Sequence, residues 1–163
     1  MTSLHHTGLT ISDLDRSLRF WRDAMGMQVL FQQEKKGGYL ETIVGEPGAH
    51  VRMAHLAFDG EGTRIELFEY LAPAGGRHTQ RPADVGFAHV CVACDDIEDR
   101  LERLVAAGGE PITGPVTIDT GANAGGRGLY LRDPDGHVVE LFERPRGGGA
   151  GARAPESTER PTA

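Results

Sequence analysis

The sequence predicts an α+β protein built from two βαβββ modules, and three features of its 163 residues carry that expectation. The stretch His6-Thr7-Gly8-Leu9-Thr10-Ile11-Ser12-Asp13-Leu14 aligns with His89-Val90-Cys91-Val92-Ala93-Cys94-Asp95-Asp96-Ile97 at a spacing of 83 residues. The same spacing pairs Leu18 with Leu101 and Gly26 with Gly109. A second repeat, Ile65-Glu66-Leu67-Phe68 and Val139-Glu140-Leu141-Phe142, has a spacing of 74, so the modules differ by nine residues of loop. Around these anchors the alternation of strand and helix patterns runs in the same order twice.

Each element has its own signal. His6–Ile11 reads as a strand, Asp13 as a helix N-cap, and Leu14, Leu18, Trp21 and Met25 recur at helical spacing until Gly26. Met27–Gln33 reads as a strand ending at the Lys35-Lys36-Gly37-Gly38 turn, and Tyr39–Val44 as another before Gly45-Glu46-Pro47-Gly48. Val51–Phe58 and Arg64–Tyr70 are strands around Asp59-Gly60-Glu61-Gly62. The second module opens with the strand His89–Ala93. A helix over Ile97–Ala107 follows, with Ile97, Leu101, Leu104 and Val105 on one face and Gly108-Gly109 as its stop. The glycine-rich loop 121–126 precedes a strand at Gly128–Leu131, Asp133-Pro134-Asp135-Gly136 is a turn, and His137–Glu143 is the last strand. One domain is expected over 1–145, with module 1 at about 4–70, a linker at 71–84 and module 2 at about 85–145. The glycine-rich, polar tail 146–163 has almost nothing to bury and is expected to be disordered.

Composition narrows the function. With 39% apolar and 25% charged residues the chain is an ordinary globular sequence. The net charge of −7, with Lys35-Lys36 the only adjacent basic pair before the tail, argues against a nucleic-acid partner. No apolar run is long enough to span a bilayer, and no basic-then-apolar leader is visible, so no membrane partner and a cytoplasmic location are expected. Cys91 and Cys94 lack a second cysteine pair and read as small strand or core residues.

The chemistry lies in the repeats. A histidine at the start of one strand and a glutamate inside a later one, both duplicated, supply His6, Glu66, His89 and Glu140. Two imidazoles and two carboxylates suit one first-row divalent ion (Mn, Fe, Co, Ni or Zn) held between the halves.

The ordered set His6-Thr7-Gly8-Leu9, Asp13-Leu14, Phe20, Ile65-Glu66-Leu67, His89, Asp133-Pro134-Asp135-Gly136 and Val139-Glu140-Leu141 resembles the vicinal oxygen chelate superfamily. That group includes glyoxalase I, methylmalonyl-CoA epimerase, extradiol dioxygenases and fosfomycin-resistance proteins. The resemblance covers roughly residues 4–144 and implies the paired glyoxalase-type fold, in which the modules curl into a cup around one divalent metal. It implies His6, Glu66, His89 and Glu140 as the ligands, with Glu66 or Glu140 also the catalytic base. It favours His6 over the adjacent His5, and it implies a homodimer, since members usually cover their open sheet edges by pairing.

Strand alternation sends Glu69 and Glu143 to the faces opposite Glu66 and Glu140, where they are expected to meet solvent. His50 and His55 are candidate pocket residues, and His78 and His137 surface ones. The pocket wall is expected to draw on Phe31, Met53, His55, Phe68, Asn123 and Tyr130. Glyoxalase I carries a glutathione-holding arginine where this chain has Thr10. The stretch 48–73 resembles methylmalonyl-CoA epimerase, a resemblance that implies Glu46 as a second proton-transfer group, but that enzyme usually lacks the Asp-Pro-Asp-Gly turn. Glu66 as a fourth ligand speaks against oxygen activation. The expectation is a lyase, isomerase or epimerase moving a proton on a small molecule with adjacent oxygens. The alternatives are an Fe(II) dioxygenase of the same fold and a metal-free protein that sequesters an antibiotic or similar ligand.

Overall fold

A computed structural model describes residues 2–60, 62–77 and 80–145. The expected disordered tail and His78 lie outside these residues. Module 1 comprises β1 (His6–Ile11), α1 (Leu14–Leu18), β2 (Gln28–Lys36), α2 (Tyr39–Val44), β3 (His50–Ala57) and β4 (Arg64–Ala72). Module 2 comprises β5 (His89–Cys94), α3 (Ile97–Ala106), the short β6 (Glu110–Pro111) and β7 (Val116–Thr117), β8 (Arg127–Arg132) and β9 (Val138–Glu143). The first sheet runs β1-β4-β3-β2, the second β5-β9-β8-β6, with β7 also on β8. In each module the first strand pairs in parallel with the last, and the remaining pairs are antiparallel. The α+β architecture of two repeated modules is thus borne out.

Burial follows the strand period of two. Leu9, Ile11, Ile65, Leu67, Val92, Val139 and Leu141 face one shared core with α1 and α3, while His6, Gly8, His89 and Cys91 lie on exposed faces. Beyond Leu18 the α1 helix widens into a π-helical segment, Arg19–Ala24, closed by Met25 N–H to Phe20 O at 2.8 Å. The widening coincides with consecutive buried aromatics, Phe20 and Trp21, which one stripe of a regular helix does not centre together.

The Asp-Pro-Asp-Gly turn is more than a turn. Buried Asp133 accepts from Trp21 Nε1 at 3.2 Å and from the backbone of Asp135 and His137 at 2.9 Å each. Asp135 accepts from the Ser12 hydroxyl at 2.6 Å, the Ser12 backbone at 3.1 Å and Arg16 at 2.6 Å. The turn therefore ties module 2 to the entry of α1. Burial pushes the Asp135 carboxyl up, but Ser12 and Arg16 outweigh it and hold it below the usual carboxylate range. His137, expected on the surface, is half-buried and bonds Thr10 O of β1 through Nε2 at 2.8 Å.

Two expectations are corrected. Tyr39–Val44 is a helix, not a strand: Gly38 and Gly45, at φ 69° and 72°, flank it, and Leu40 and Val44 pack one turn apart on Val51, Met53, Phe68 and Tyr70. Glu69 and Glu143 do not face solvent. Glu143 is 4% exposed and accepts the Ile97 N–H of the first turn of α3 at 2.9 Å. Glu69 does the same at α1, accepting the Leu14 N–H at 3.3 Å, and pairs with Arg52 at 3.3 Å. Each carboxylate satisfies a helix-terminal donor and complements the positive end of the helix dipole. Glu143→Ala should strand a buried N–H, costing about 1–3 kcal/mol. Thermal unfolding should show a Tm lower by roughly 2–10 °C. An unchanged Tm contradicts this role.

Candidate functional site

The sequence places four potential ligands at the starts of β1 and β5 and inside β4 and β9, and strand register decides which of them meet. In module 1 the parallel register sets Gly8 beside Glu66, two residues along from His6. Because Gly8 carries no side chain, the Glu66 carboxylate leans across it; a Cβ there would already lie 3.6 Å from Glu66 Oε2. That oxygen comes 3.4 Å from His6 Nε2. In module 2 the matching pair is Cys91 beside Glu140, and Glu140 Oε2 lies 3.0 Å from His89 Nε2. The residue under the carboxylate is small in both halves.

These separations fit a shared ion. Two cis ligands with bonds of about 2.1 Å sit roughly 3.0–3.4 Å apart, according to whether the ion is octahedral or tetrahedral. Each half offers one imidazole nitrogen and one carboxylate oxygen at such a distance. The halves do not close on each other within the chain: among the described residues, no three histidine, cysteine or carboxylate groups are placed to hold one metal. His89 shares a crevice with Thr7, Gly8 and Leu9, but neither His6 nor Glu66 lines it. Both pairs lie on the faces turned away from the core.

The cross-strand rows through the carboxylates continue in register. Row one is Gly8, Glu66, His55 and Phe31; row two is Cys91, Glu140 and Tyr130. Buried His55 bonds Glu66 Oε1 through Nε2 at 2.8 Å and stacks on Phe31 at 4.5 Å between ring centroids. His5 lies against His6, its Nδ1 2.7 Å from His6 Nδ1, while His6 Nε2 is the nitrogen that faces Glu66. In row two the Tyr130 hydroxyl approaches His89 Nε2 at 3.4 Å. Burial, with Glu140 second, raises the Tyr130 phenol above its ordinary value.

Of the other expected wall residues, Phe68 and Met53 pack in the small cluster beneath α2. Asn123 sits in the glycine-rich loop, its carbonyl accepting Gly126 N–H at 2.9 Å. His50 pairs with Glu34 at 2.6 Å toward the far end of β3. Sequence reasoning missed the outer partner of Glu66, although His55 was among the pocket candidates; the signal was its odd spacing from the buried Ala54 and Leu56.

The profile of the Glyoxalase/Bleomycin resistance protein/Dioxygenase superfamily matches residues 3–141. The chain belongs to that superfamily, the vicinal oxygen chelate group. A 2-epi-5-epi-valiolone epimerase from Actinomyces sp. is 32% identical over 149 residues, covering 89% of this chain and 81% of its own. A probable lactoylglutathione lyase from Vibrio parahaemolyticus is 30% identical over 141 residues, covering 85% and 88% respectively. A glyoxalase family protein from Bacillus cereus superposes with a TM-score of 0.79 at 21% identity, over 89% of this chain and 95% of that one. These kinships support an enzyme of the glyoxalase and epimerase type. Among the described residues no helix is long and apolar enough to cross a membrane.

The open face also carries the thiol of Cys91, a strand residue as expected. Burial, then the neighbouring Glu140, pushes this thiol up to about 11. At pH 8 alkylation by iodoacetamide should therefore be on the order of 100-fold slower than for an unperturbed thiol. Reaction at the free-thiol rate contradicts the placement of Cys91 against Glu140.

Proposed function

We propose that the protein is a divalent-metal-dependent lyase or isomerase that moves a proton next to an oxygen-bearing carbon of a small molecule. The observation that carries this reading is the paired half-site. His6 with Glu66, and His89 with Glu140, each hold a nitrogen and an oxygen at the spacing of neighbouring ligands on one ion. The ion is of the Mn, Fe, Co, Ni or Zn class, and the two halves that hold it come from different chains of a homodimer. Failure of the halves to converge within one chain supports sharing. So do the exposed apolar side chains Phe31, Tyr39 and Ile43 of module 1 and Ile112 and Val116 of module 2, which a second copy would cover.

The metal, when bound, polarises a substrate oxygen and makes the adjacent C–H more acidic. The protein's own groups then divide the remaining work. His6 and His89 would each offer Nε2, the ring nitrogen that faces Glu66 or Glu140, while the His5 ring sits against His6 Nδ1. Glu66 or Glu140 accepts the proton and returns it, so no net redox change occurs. A carboxylate-rich donor set leaves fewer open positions than oxygen activation needs, which sets the dioxygenase reading second. The two curated relatives named above carry out lyase and epimerase chemistry by name, in keeping with proton transfer.

The reading predicts one tightly held metal per chain after metal-free protein is titrated with Ni²⁺ or Co²⁺. At about 100 times the dissociation constant, the ion should stabilise the fold by about 2.7 kcal/mol. In D₂O, a panel of α-hydroxyketones should include at least one whose acidic hydrogen exchanges by NMR with no oxygen consumed, and Glu140→Gln or Glu66→Gln should abolish the exchange. No metal uptake at all would favour the metal-free binding protein. Stoichiometric oxygen uptake would favour the dioxygenase.

A further inference from the structure

We infer that His55 is a positioning residue that fixes Glu66 as a single-oxygen ligand, an inference that rests on the metal-dependent reading above. His55 is 5% exposed, and its ring is set by the face of Phe31 at 4.5 Å with an interplanar angle of 22°. Its Nε2 lies 2.8 Å from Glu66 Oε1. The other ring nitrogen, Nδ1, is buried with no hydrogen-bond partner. A buried N–H without an acceptor is disfavoured more than a bare ring nitrogen, so the hydrogen-bond network assigns the proton to Nε2. His55 is then a neutral donor with one target, the Oε1 oxygen. Glu66 is left with Oε2, the atom 3.4 Å from His6 Nε2, to offer a metal.

The pseudo-symmetry of the fold gives an internal control. His55 and Tyr130 occupy the same place in their modules, each the antiparallel register partner of the candidate carboxylate. Tyr130 does not repeat the clamp: its hydroxyl approaches His89 Nε2 at 3.4 Å, and Glu140 has the Cys91 thiol beside it instead. The two carboxylates are therefore held differently. One is gripped by a rigid, buried donor, the other by a thiol and a more exposed surround. The difference arises from one position in the repeat, a histidine in β3 where β8 has a tyrosine.

The clamp acts on Glu66 through one nitrogen, which makes the test specific. Metal-free full-length protein and the variants His55→Gln, His55→Asn and His55→Leu are titrated with Co²⁺ against a competing chelator. Gln can place its amide N–H near the Nε2 position; Asn is too short and Leu has no donor. Wild type and His55→Gln should agree within about threefold, while His55→Asn and His55→Leu bind about 10–100-fold more weakly. The visible Co²⁺ spectrum should change in those two variants, as Glu66 is freed to bind through both oxygens. Equal affinity in all four proteins overturns the inference and leaves the metal reading intact. Equal weakening in all three variants also overturns it, because the ring would then matter only for packing. If His55→Leu fails to fold, the Asn and Gln pair still decides. Wild type that takes up no Co²⁺ overturns both readings.

Discussion

The parallel pairing of the first and last strands in each module is the constraint on which the rest depends. It brings the histidine at the start of β1 beside the carboxylate in β4, and the histidine of β5 beside that of β9. The five-residue repeat Ile65-Glu66-Leu67-Phe68-Glu69 and Val139-Glu140-Leu141-Phe142-Glu143 then serves two purposes. Its glutamates are an odd number of residues apart, so the strand sends them to opposite faces. The first of each pair goes to the open face with a histidine, and the second goes to the core side and caps a helix. The site and the helix that supports its sheet are thus coupled through one short strand.

That coupling explains how much of the molecule the sequence revealed. Duplicated His and Glu positions have a fixed spacing, and fixed spacing survives in a linear reading, so the module order and the two histidine–carboxylate pairings were legible. Glu69 and Glu143 were not, because alternation gives their face but not what waits there: an unpaired N–H of Leu14 or Ile97, contributed from far away in the chain. Tyr39–Val44 was misread because Thr42, Ile43 and Val44 favour strands on propensity. What decides its helix is the packing of Leu40 and Val44 on β3 and β4 together with glycine at either end. The role of His55 depends on antiparallel register across three strands, which a sequence does not state.

The inter-module contacts bear on how the halves are used. Trp21 on Asp133, Arg100 on the carbonyls of Ala24 and Met25, and Asp135 on Ser12 and Arg16 join the modules through the core side and the strand ends. None of these contacts touches the open faces. Joining the modules from behind leaves His6 with Glu66 and His89 with Glu140 each presenting a histidine–carboxylate pair outward. A second copy related by a twofold axis would bring unlike halves together twice, forming two equivalent sites.

Complementation tests this shared-site arrangement most directly. A His6→Ala/Glu66→Ala protein and a His89→Ala/Glu140→Ala protein are mixed in denaturant in equal amounts, refolded together and titrated with Co²⁺. Neither alone should bind. In the mixture half of the dimers are mixed, and each mixed dimer holds one intact site of two, so about one quarter of the wild-type binding should return. If the wild type binds Co²⁺ and the mixture stays as empty as its parents, the ligands belong to one chain and the shared site is wrong.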